Sequence, residues 1–539
     1  MQQNLQKNGE PERRIQQNLQ RNGEPERRRQ QNLQDNGESE RRRQLRRKKE
    51  RERQRRIRRR RVRIMKMTIA GVILLFCIIL IIIAVRALKN KGAKSAESDS
   101  TASQPTETAS VNQLKTDTLA SAGNLAAMYD YDKAIAAIEA YSGYESDTDM
   151  TAAIANYTSA KSSCTAADLS TVPHVFFHSL INDNRAFLVT DQVTPLLVQG
   201  NNSAMTTTGE FDAMLNDMYK AGYVLIGLDD IVIKTANTDG TETLAKNTAL
   251  MLPAGKKPLL MSEDDLSYYH FMGENGIQGY ADKLVLDSDG KVKCLFTDKS
   301  GTQQIGDYDM VPKIDTFISE HPDFCYQGAR PTVALTGYNG VLGYRTNDYY
   351  KEGPDGEHLS SDQKAYLTNH PDYNYDNEVA EATKIADAMK AEGWTFASHT
   401  YGHWNASTHS AEELATDNER WNTTVRDVVG DTDKIIFAFG ADIGPVNGYN
   451  ESNDKFTYFL SQGYHIYCNV DGNIGWTEFG SNYVRTGRVP LDGVSMYNAM
   501  TESASSHTTY AHDYEVLGIN DIALFFDPDR TLEYCTAES

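Results

Sequence analysis

Two short motifs, far apart along the chain, contain residue types that can hold a metal ion. Asp264 and Asp265 end the strand-like run 257–265, and His399 and His403 stand four residues apart in His-Thr-Tyr-Gly-His. One carboxylate and two imidazoles supply three protein ligands and leave a fourth position for water, the arrangement of catalytic rather than structural zinc. The spare carboxylate suits a general base in metal-assisted hydrolysis. By spacing alone, a pair of polar loop histidines and a capping or solvated acidic turn stay open as alternatives.

The segments that must position these residues alternate between strand-like and helix-like patterns from residue 172 onward. The strand-like segments are 175–177, 223–228, 259–262, 332–336, 394–398 and 435–439, and the helix-like segments are 210–221, 310–320, 377–392 and 411–429. Such alternation predicts a parallel α/β architecture, either a barrel or a doubly wound sheet. Functional residues collect at the carboxyl ends of the strands in these folds, and both motifs lie at such ends.

Charge and hydropathy divide the chain. The whole chain carries a net charge of -19, but residues 1–66 are basic with a net of +15, and the rest is acidic with a net of -34. Between them, residues 67–85 form an uncharged apolar run, which at ~1.5 Å per residue crosses a hydrocarbon core of about 30 Å. A cleaved signal peptide is the alternative, but its apolar stretch is shorter and ends at a small-residue site. We therefore predict a transmembrane helix over 67–87, with a cytoplasmic amino terminus by the positive-inside rule.

The regions around the apolar run have distinct compositions. Residues 1–66 contain repeats of 14 residues that carry glycine and few apolar positions, which predicts a disordered tail that could bind anionic lipid headgroups. No nucleic acid partner is expected, because no fold accompanies this charge. Residues 88–111 are predicted as a flexible linker, 112–168 as a helical spacer and 170–539 as the catalytic domain. Five scattered cysteines outside the apolar run predict no disulfide framework.

Three segments carry a resemblance to a known family. Residues 381–403 resemble the second motif region of polysaccharide deacetylases, the NodB-homology family, in which a helix, a glycine turn and a strand deliver H-[ST]-x-x-H. Residues 257–265 (KPLLMSEDD) resemble its first motif, usually TFDDG, and 172–179 (VPHVFFHS) resemble the strand that opens a permuted branch. The resemblance spans roughly 170–500 and implies a distorted (β/α) barrel.

The resemblance also implies roles for individual residues. Asp264 would be the general base, and His178 the general acid supplied by the opening strand. Asp265, His399 and His403 would hold a divalent metal, most often zinc. The other interpretation of His178 is a buried strand histidine satisfied by hydrogen bonds.

The chain also departs from the family pattern. Ser262, Glu263 and Leu266 replace the usual Thr, Phe and Gly, and Glu263 adds a third carboxylate that would raise a neighbour's pKa if it pointed inward. Residues 438–441 occupy the place of the third motif, R-x-P-Y, without its arginine. Arg488 could compensate, or form a surface salt bridge instead.

Two further residues are predicted to contact substrate. Trp404 could stack on a sugar ring, with a rim or core tryptophan as the alternative, and Arg488 is the second candidate. The predicted function is removal of acetyl groups from N-acetylated cell-surface polysaccharide, of the peptidoglycan or poly-N-acetylglucosamine type, outside a bacterial membrane. An O-acetyl esterase in the same fold and a degenerate glycan-binding or scaffold domain are the alternatives.

Overall fold

The computed structural model describes most of the chain after residue 105. The described ranges are 106–238, 241–273, 277–444, 448–472, 474–501 and 509–536. The predicted basic tail and transmembrane helix, and residues 88–105 of the predicted linker, lie outside these ranges. Within the described ranges, no helix combines the length and the apolar composition needed to cross a bilayer.

The secondary structure of the described residues alternates strands and helices, as predicted. The strands are β1 (Thr165–Ala166), β2 (His174–His178), β3 (Tyr223–Leu225), β4 (Val232–Ala236), β5 (Glu242–Lys246), β6 (Met251–Leu252), β7 (Lys257–Asp264), β8 (Lys283–Leu286), β9 (Val292–Thr297), β10 (Gln303–Gly306), β11 (Thr332–Leu335), β12 (Thr395–Ser398), β13 (Lys434–Ile436), β14 (Ile466–Val470), β15 (Thr477–Phe479) and β16 (Val484–Pro490). The helices are α1 (Thr106–Ala127), α2 (Tyr131–Glu139), α3 (Thr148–Ser162), α4 (Pro195–Ala204), α5 (Thr208–Lys220), α6 (His270–Gly273), α7 (Met310–Glu320), α8 (Ser361–Asn369), α9 (Tyr375–Glu392), α10 (Ala411–Thr424), α11 (Arg426–Val429), α12 (Asp454–Ser461), α13 (Gly493–Thr501) and α14 (Tyr510–Leu517).

Seven parallel strands close into a barrel. Their order is β2, β7, β11, β12, β13, β14 and β16, and β16 pairs in turn with β2. The closure confirms the barrel and excludes the doubly wound sheet. Because all seven strands run the same way, their carboxyl ends share one rim.

The alternation of β7 explains how the barrel is filled. Leu260 packs in the interior cluster, whereas Leu259 and Met261 pack in the layer between the strands and the outer helices. Both faces of the strand are buried, so its sequence reads as an almost continuous apolar run. The same alternation directs Asp264 into the barrel interior and Glu263 into the outer layer.

The outer helices begin and end at strong local signals. Thr207 and Glu210 form a reciprocal capping box at the start of α5. Helix α9 ends at Gly393, whose φ of 107° lies in the left-handed region that glycine tolerates. This turn feeds the chain into β12, the strand that precedes the histidine motif.

The regions around the barrel partly match the predictions. Helices α1 to α3 occupy the predicted spacer, and α1 begins at Thr106, inside the predicted linker. Turn signals at Asp289-Gly290 and Ser300-Gly301 predict hairpins with strands over 284–286 and 292–296, and β8 and β9 confirm these strands, with β10 as a third. The segment 346–374, whose Tyr, Asp, Asn and Pro content predicts a long loop, contains α8, which starts at a capping box of Ser360 and Gln363. The five cysteines of the described residues are buried and unpaired.

Candidate metal centre

The aspartate and the two histidines predicted as ligands converge at the carboxyl rim of the barrel. Asp265 follows β7, and His399 and His403 follow β12. Their ligand atoms all lie within 4.8 Å of one another. Asp265 Oδ2 is 3.4 Å from His403 Nε2 and 3.9 Å from His399 Nε2. Residues remote in the sequence thus form one candidate metal site.

Both imidazoles are prepared to bind a cation. Nδ1 of the buried His399 lies 2.8 Å from the carbonyl oxygen of Ile436, so this nitrogen donates and Nε2 keeps its lone pair for a metal. Burial lowers the pKa of His403, and this outweighs the opposing effect of Asp265. A neutral imidazole is the form that binds a metal.

The donor set fits a divalent metal of the zinc type. In a tetrahedral site with bonds of ~2.0–2.1 Å, neighbouring ligand atoms stand about 3.3 Å apart. The two distances from Asp265 are close to this value, so a small inward movement completes the geometry. One carboxylate and two imidazoles are also the donors that zinc accepts most readily.

The backbone around the ligands is strained. Asp265, Thr400 and His403 all have positive φ values, of 60°, 60° and 54°. Non-glycine residues in this region cost about 1–3 kcal/mol each and persist where the surrounding structure over-determines them. Here the strain turns the ligand side chains of Asp265 and His403 toward each other.

Asp417 on α10 holds the turn between the two histidines. Its buried carboxylate accepts hydrogen bonds from the N–H of Tyr401 at 2.6 Å and from that of Gly402 at 2.8 Å. The Tyr401 carbonyl in turn accepts from the N–H groups of Gly337 and Tyr338. Sequence reasoning missed Asp417, because no spacing rule connects a helix residue to the motif before it.

Arg488 on β16 engages the predicted base. Its Nη1 donates to Asp264 Oδ1 at 2.8 Å and to Oδ2 at 3.0 Å, and both side chains are buried. Burial alone would raise the pKa of Asp264, but Arg488, helped by His399, lowers it to about 2. Arg488 therefore holds the predicted base, which agrees with the first of its two sequence-based interpretations. It is fully buried, neither in the predicted surface salt bridge nor on a surface open to substrate, so the structure does not support its predicted role as a substrate contact.

Ser262, which replaces the usual Thr, belongs to a chain of hydrogen-bonded polar side chains inside the barrel. Ser262 Oγ lies 3.2 Å from Arg488 Nη1 and 3.1 Å from His174 Nε2. The other nitrogen of His174 lies 2.8 Å from Thr486 Oγ1. Burial, with a smaller effect of Arg488, holds the pKa of His174 well below its usual value, so this histidine is a neutral support.

Glu263, the residue that replaces Phe, points away from the candidate metal site. It is fully buried in the outer layer, where no donor of the described residues reaches its carboxylate oxygens. Burial and the neighbouring Asp309 raise its pKa well above the usual value, which favours the protonated form. Asp309 accepts from three donors, the N–H groups of Leu180 and Met310 and the hydroxyl of Tyr268. The third carboxylate therefore belongs to the core and not to the candidate metal site.

Two remaining predicted residues also lie near the rim. His178 ends β2 directly beside Asp264 in the strand register, is partly exposed and contributes to lowering the pKa of Asp264. Trp404 is half-buried and stacks on His409 with 4.5 Å between ring centres.

Tyr269, also missed in the sequence, orients a ligand. Its hydroxyl donates a short hydrogen bond to Asp265 Oδ1 and lies 2.6 Å from Thr336 Oγ1. The bond occupies one oxygen of Asp265 and leaves Oδ2 facing the histidines. Outer-shell bonds of this kind fix the orientation of a metal ligand.

Comparison with known proteins adds little beyond this geometry. No protein-family model and no curated protein sequence matches the chain. A structural match was found to the Streptococcus pyogenes deacetylase PplD in complex with acetate, with 12% sequence identity and a TM-score of 0.27. It covers 59% of this chain and 92% of the other.

Proposed function

We propose that this protein is a metal-dependent hydrolase that removes acetyl groups from N-acetylated cell-surface polysaccharide, of the peptidoglycan or poly-N-acetylglucosamine type. The single observation that supports it most is the cluster of Asp265, His399 and His403 beside the ionised pair of Asp264 and Arg488. This arrangement joins three ligands to a separate base, which metal-assisted hydrolysis requires. The resemblance of three segments to the deacetylase motifs indicates that the group removed is an acetyl group.

Each side chain has a defined task in this reaction. A divalent cation held by Asp265, His399 and His403 would polarise the acetyl carbonyl and acidify the attacking water. Asp264 accepts the proton of the water at a carboxylate oxygen, which Arg488 keeps ionised and oriented.

His178 completes the proton transfers in this proposal. It stands beside Asp264 at the end of β2, on the same rim. A protonated imidazole there would donate its proton to the sugar amine as the C–N bond breaks, so that the amine leaves as a neutral group. Acetate and a free amino sugar are the products.

The proposed location follows from the amino-terminal sequence. Residues 67–87 would anchor the protein in the cell membrane, with the basic tail on the cytoplasmic side, where it could contact anionic lipid headgroups. The barrel would then face the cell envelope, which contains the proposed substrate.

The test is acetate release by the zinc-loaded full chain from chitin oligomers and from O-acetylated xylan. Asp264→Asn and His399→Ala are each expected to lower release from chitin oligomers by about 10²-fold or more. His358→Ala, which changes an exposed histidine paired with Glu352, serves as the matched control.

Three outcomes would decide against the proposal. Release from xylan alone would identify an O-acetyl esterase. Activity that persists in His399→Ala would contradict the assignment of the metal ligands. A wild-type protein that binds glycan but holds no stoichiometric metal would identify a binding domain instead.

A further inference from the structure

Two phenylalanine rings are exposed at the carboxyl rim of the barrel. Among the described residues, Phe271 is 42% exposed and Phe439 is 68% exposed. An exposed aromatic ring beside a polar site offers a flat apolar face on which a ligand can pack. Both rings lie next to the residues of the candidate metal site.

Phe271 is the outer member of a stack of three rings. It lies 5.3 Å from Tyr269 between ring centres with an interplanar angle of 16°, and Tyr269 lies 5.1 Å from Tyr338 at 14°. The hydroxyl of Tyr269 donates to the ligand Asp265. The exposed ring is therefore held in a fixed orientation and is connected to one ligand through a single neighbour.

Phe439 contacts the second histidine of the ligand set. Its ring centre is 4.5 Å from that of His403, and its backbone has a φ of 59°, which is costly for a bulky residue. Apolar contact with the core does not explain this strain, since most of the ring faces solvent. The strained backbone holds the ring beside the ligand.

The two rings flank one connected row of groups. The row runs from Phe271 through Tyr269 to Asp265, then across 3.4 Å to His403, and ends at Phe439. The Asp265 and His403 pair thus stands between two flat apolar surfaces.

We propose that Phe271 and Phe439 are stacking platforms for consecutive sugar rings on the two sides of the metal, so that the enzyme acts on internal units of a polymer. The apolar C–H face of a pyranose ring packs on an aromatic ring, while its hydroxyls stay in water. A site that accepts only the terminal sugar of a polymer would be closed by protein beyond that sugar. At this rim both phenylalanine rings are exposed instead. This inference rests on the proposed function and adds to it the length of substrate.

The experiment compares N-acetylglucosamine oligomers from dimer to hexamer as substrates of the zinc-loaded full chain. For the wild type, kcat/KM is expected to rise about tenfold or more with length, since one good stacking contact contributes on the order of a factor of ten. Phe271→Ala and Phe439→Ala should each reduce this rise through KM and keep the wild-type metal content. Phe271→Trp should preserve the rise, because it retains a flat ring.

Ile305→Ala provides the matched control, because Ile305 is an exposed apolar residue on β10, outside the row. It should show the wild-type length dependence. Alanine variants that keep the full length dependence would overturn the inference. Variants that lose metal in proportion to activity would also overturn it, because the rings would then be structural.

A failure of the proposed function can be distinguished from a failure of this inference. If the wild type releases acetate from no oligomer, binding of the hexamer to the metal-free chain can still be measured by titration calorimetry. Weaker binding by Phe271→Ala and Phe439→Ala than by Ile305→Ala would support the platforms without catalysis. Equal binding by all four proteins would reject them.

Discussion

At the carboxyl end of the barrel, Asp265 and His403 have strained backbone conformations, whereas at the amino end Lys434 forms two close ion pairs. Lys434 Nζ lies 2.9 Å from Asp433 and 2.8 Å from Asp229, and its side chain is almost fully buried. Lys234 also contacts both aspartates. The carboxyl end therefore contains residues with unfavourable backbone conformations, whereas the charged groups of the amino end form close ion pairs.

Complete packing of the barrel interior allows one fold to contain both a strained carboxyl end and an ion-paired amino end. Residues with positive φ cost about 1–3 kcal/mol each, and a fold can hold them only where packing elsewhere is complete. Ile226, Leu228 and Ile231 enter the barrel interior from the loop after β3 and pack against Leu260 and Ile436. Substitutions at the carboxyl end should therefore change activity, and those at the amino end should change stability.

The largest effect is expected from His403→Ala. Loss of this ligand removes the cation that acidifies water, so kcat/KM should fall by at least about 10³-fold. Its side chain is partly exposed and its backbone strained, so the unfolding free energy of the metal-free protein should change by less than about 1 kcal/mol. Steady-state kinetics and urea denaturation measure the two quantities. A large loss of stability with unchanged turnover would show that His403 contributes to folding and not to catalysis, which would contradict the comparison.

The opposite pattern is expected from Lys434→Met. It leaves Asp433 and Asp229 with one lysine between them, and because Asp229 is half-exposed the expected cost is that of a lost charged hydrogen bond, about 1.5–3 kcal/mol. Turnover of the folded fraction should match the wild type. Lys384→Met, which breaks the exposed pair with Glu381, is the matched control and should cost less than about 1 kcal/mol by urea denaturation. Equal losses in the two variants would show that the amino-end network contributes little.

Sequence reasoning selected Asp265, His399 and His403 because each belongs to a motif that is recognisable locally. His399 and His403 belong to one motif, and Asp265 ends a strand, so a parallel fold brings them to one rim. Arg488 shows where the reasoning stopped. Its position on a strand was recognised, but its partner Asp264 depends on how seven strands close, which no local pattern contains.

Other parts of the site and fold were beyond local patterns for related reasons. Sequence reasoning noted Glu263 as a third carboxylate without indicating Asp309, which lies on another segment and helps to raise its pKa. Tyr269 orients Asp265 from the loop after β7, where no local pattern distinguishes it. Strand β14, which closes the barrel between β13 and β16, was not identified, although Gly463 precedes it and Asp471 and Gly472 follow it as turn signals.

A smaller effect is expected from Asp417→Asn. The amide keeps one neutral acceptor, so one of the N–H groups of Tyr401 and Gly402 loses its acceptor, the other loses a charged one, and the turn before His403 loosens. The zinc dissociation constant should rise about tenfold, measured by competition with a chelating dye. Glu419→Gln removes the same charge from an exposed position on α10 and should leave the constant unchanged. Equal constants in the two variants would show that the turn is held by its other contacts.

The smallest effect concerns pH and the amino end. Burial alone would raise the pKa of Asp433, but Lys434 and Lys234 outweigh it and lower the pKa below its unfolded value. A lowered pKa contributes stability above about pH 4, and this contribution is lost as pH falls through the folded value. The difference in unfolding free energy between wild type and Asp433→Asn, on the order of 1 kcal/mol at neutral pH, should therefore shrink toward pH 3.

Asp230 supplies the control of opposite sign for this last prediction. Burial raises its pKa to about 6, so its contribution to stability is present at low pH and is lost as pH rises through that value. Asp230→Asn should then gain stability relative to the wild type as the pH rises from about 4, the pKa of the carboxyl in the unfolded chain, to about 6, its pKa in the folded protein. Urea denaturation of both variants across pH 3–7 measures the two slopes. Parallel slopes would show that Lys434 and Lys234 do not lower the pKa of Asp433. The ion pairs at the amino end would then not contribute to stability.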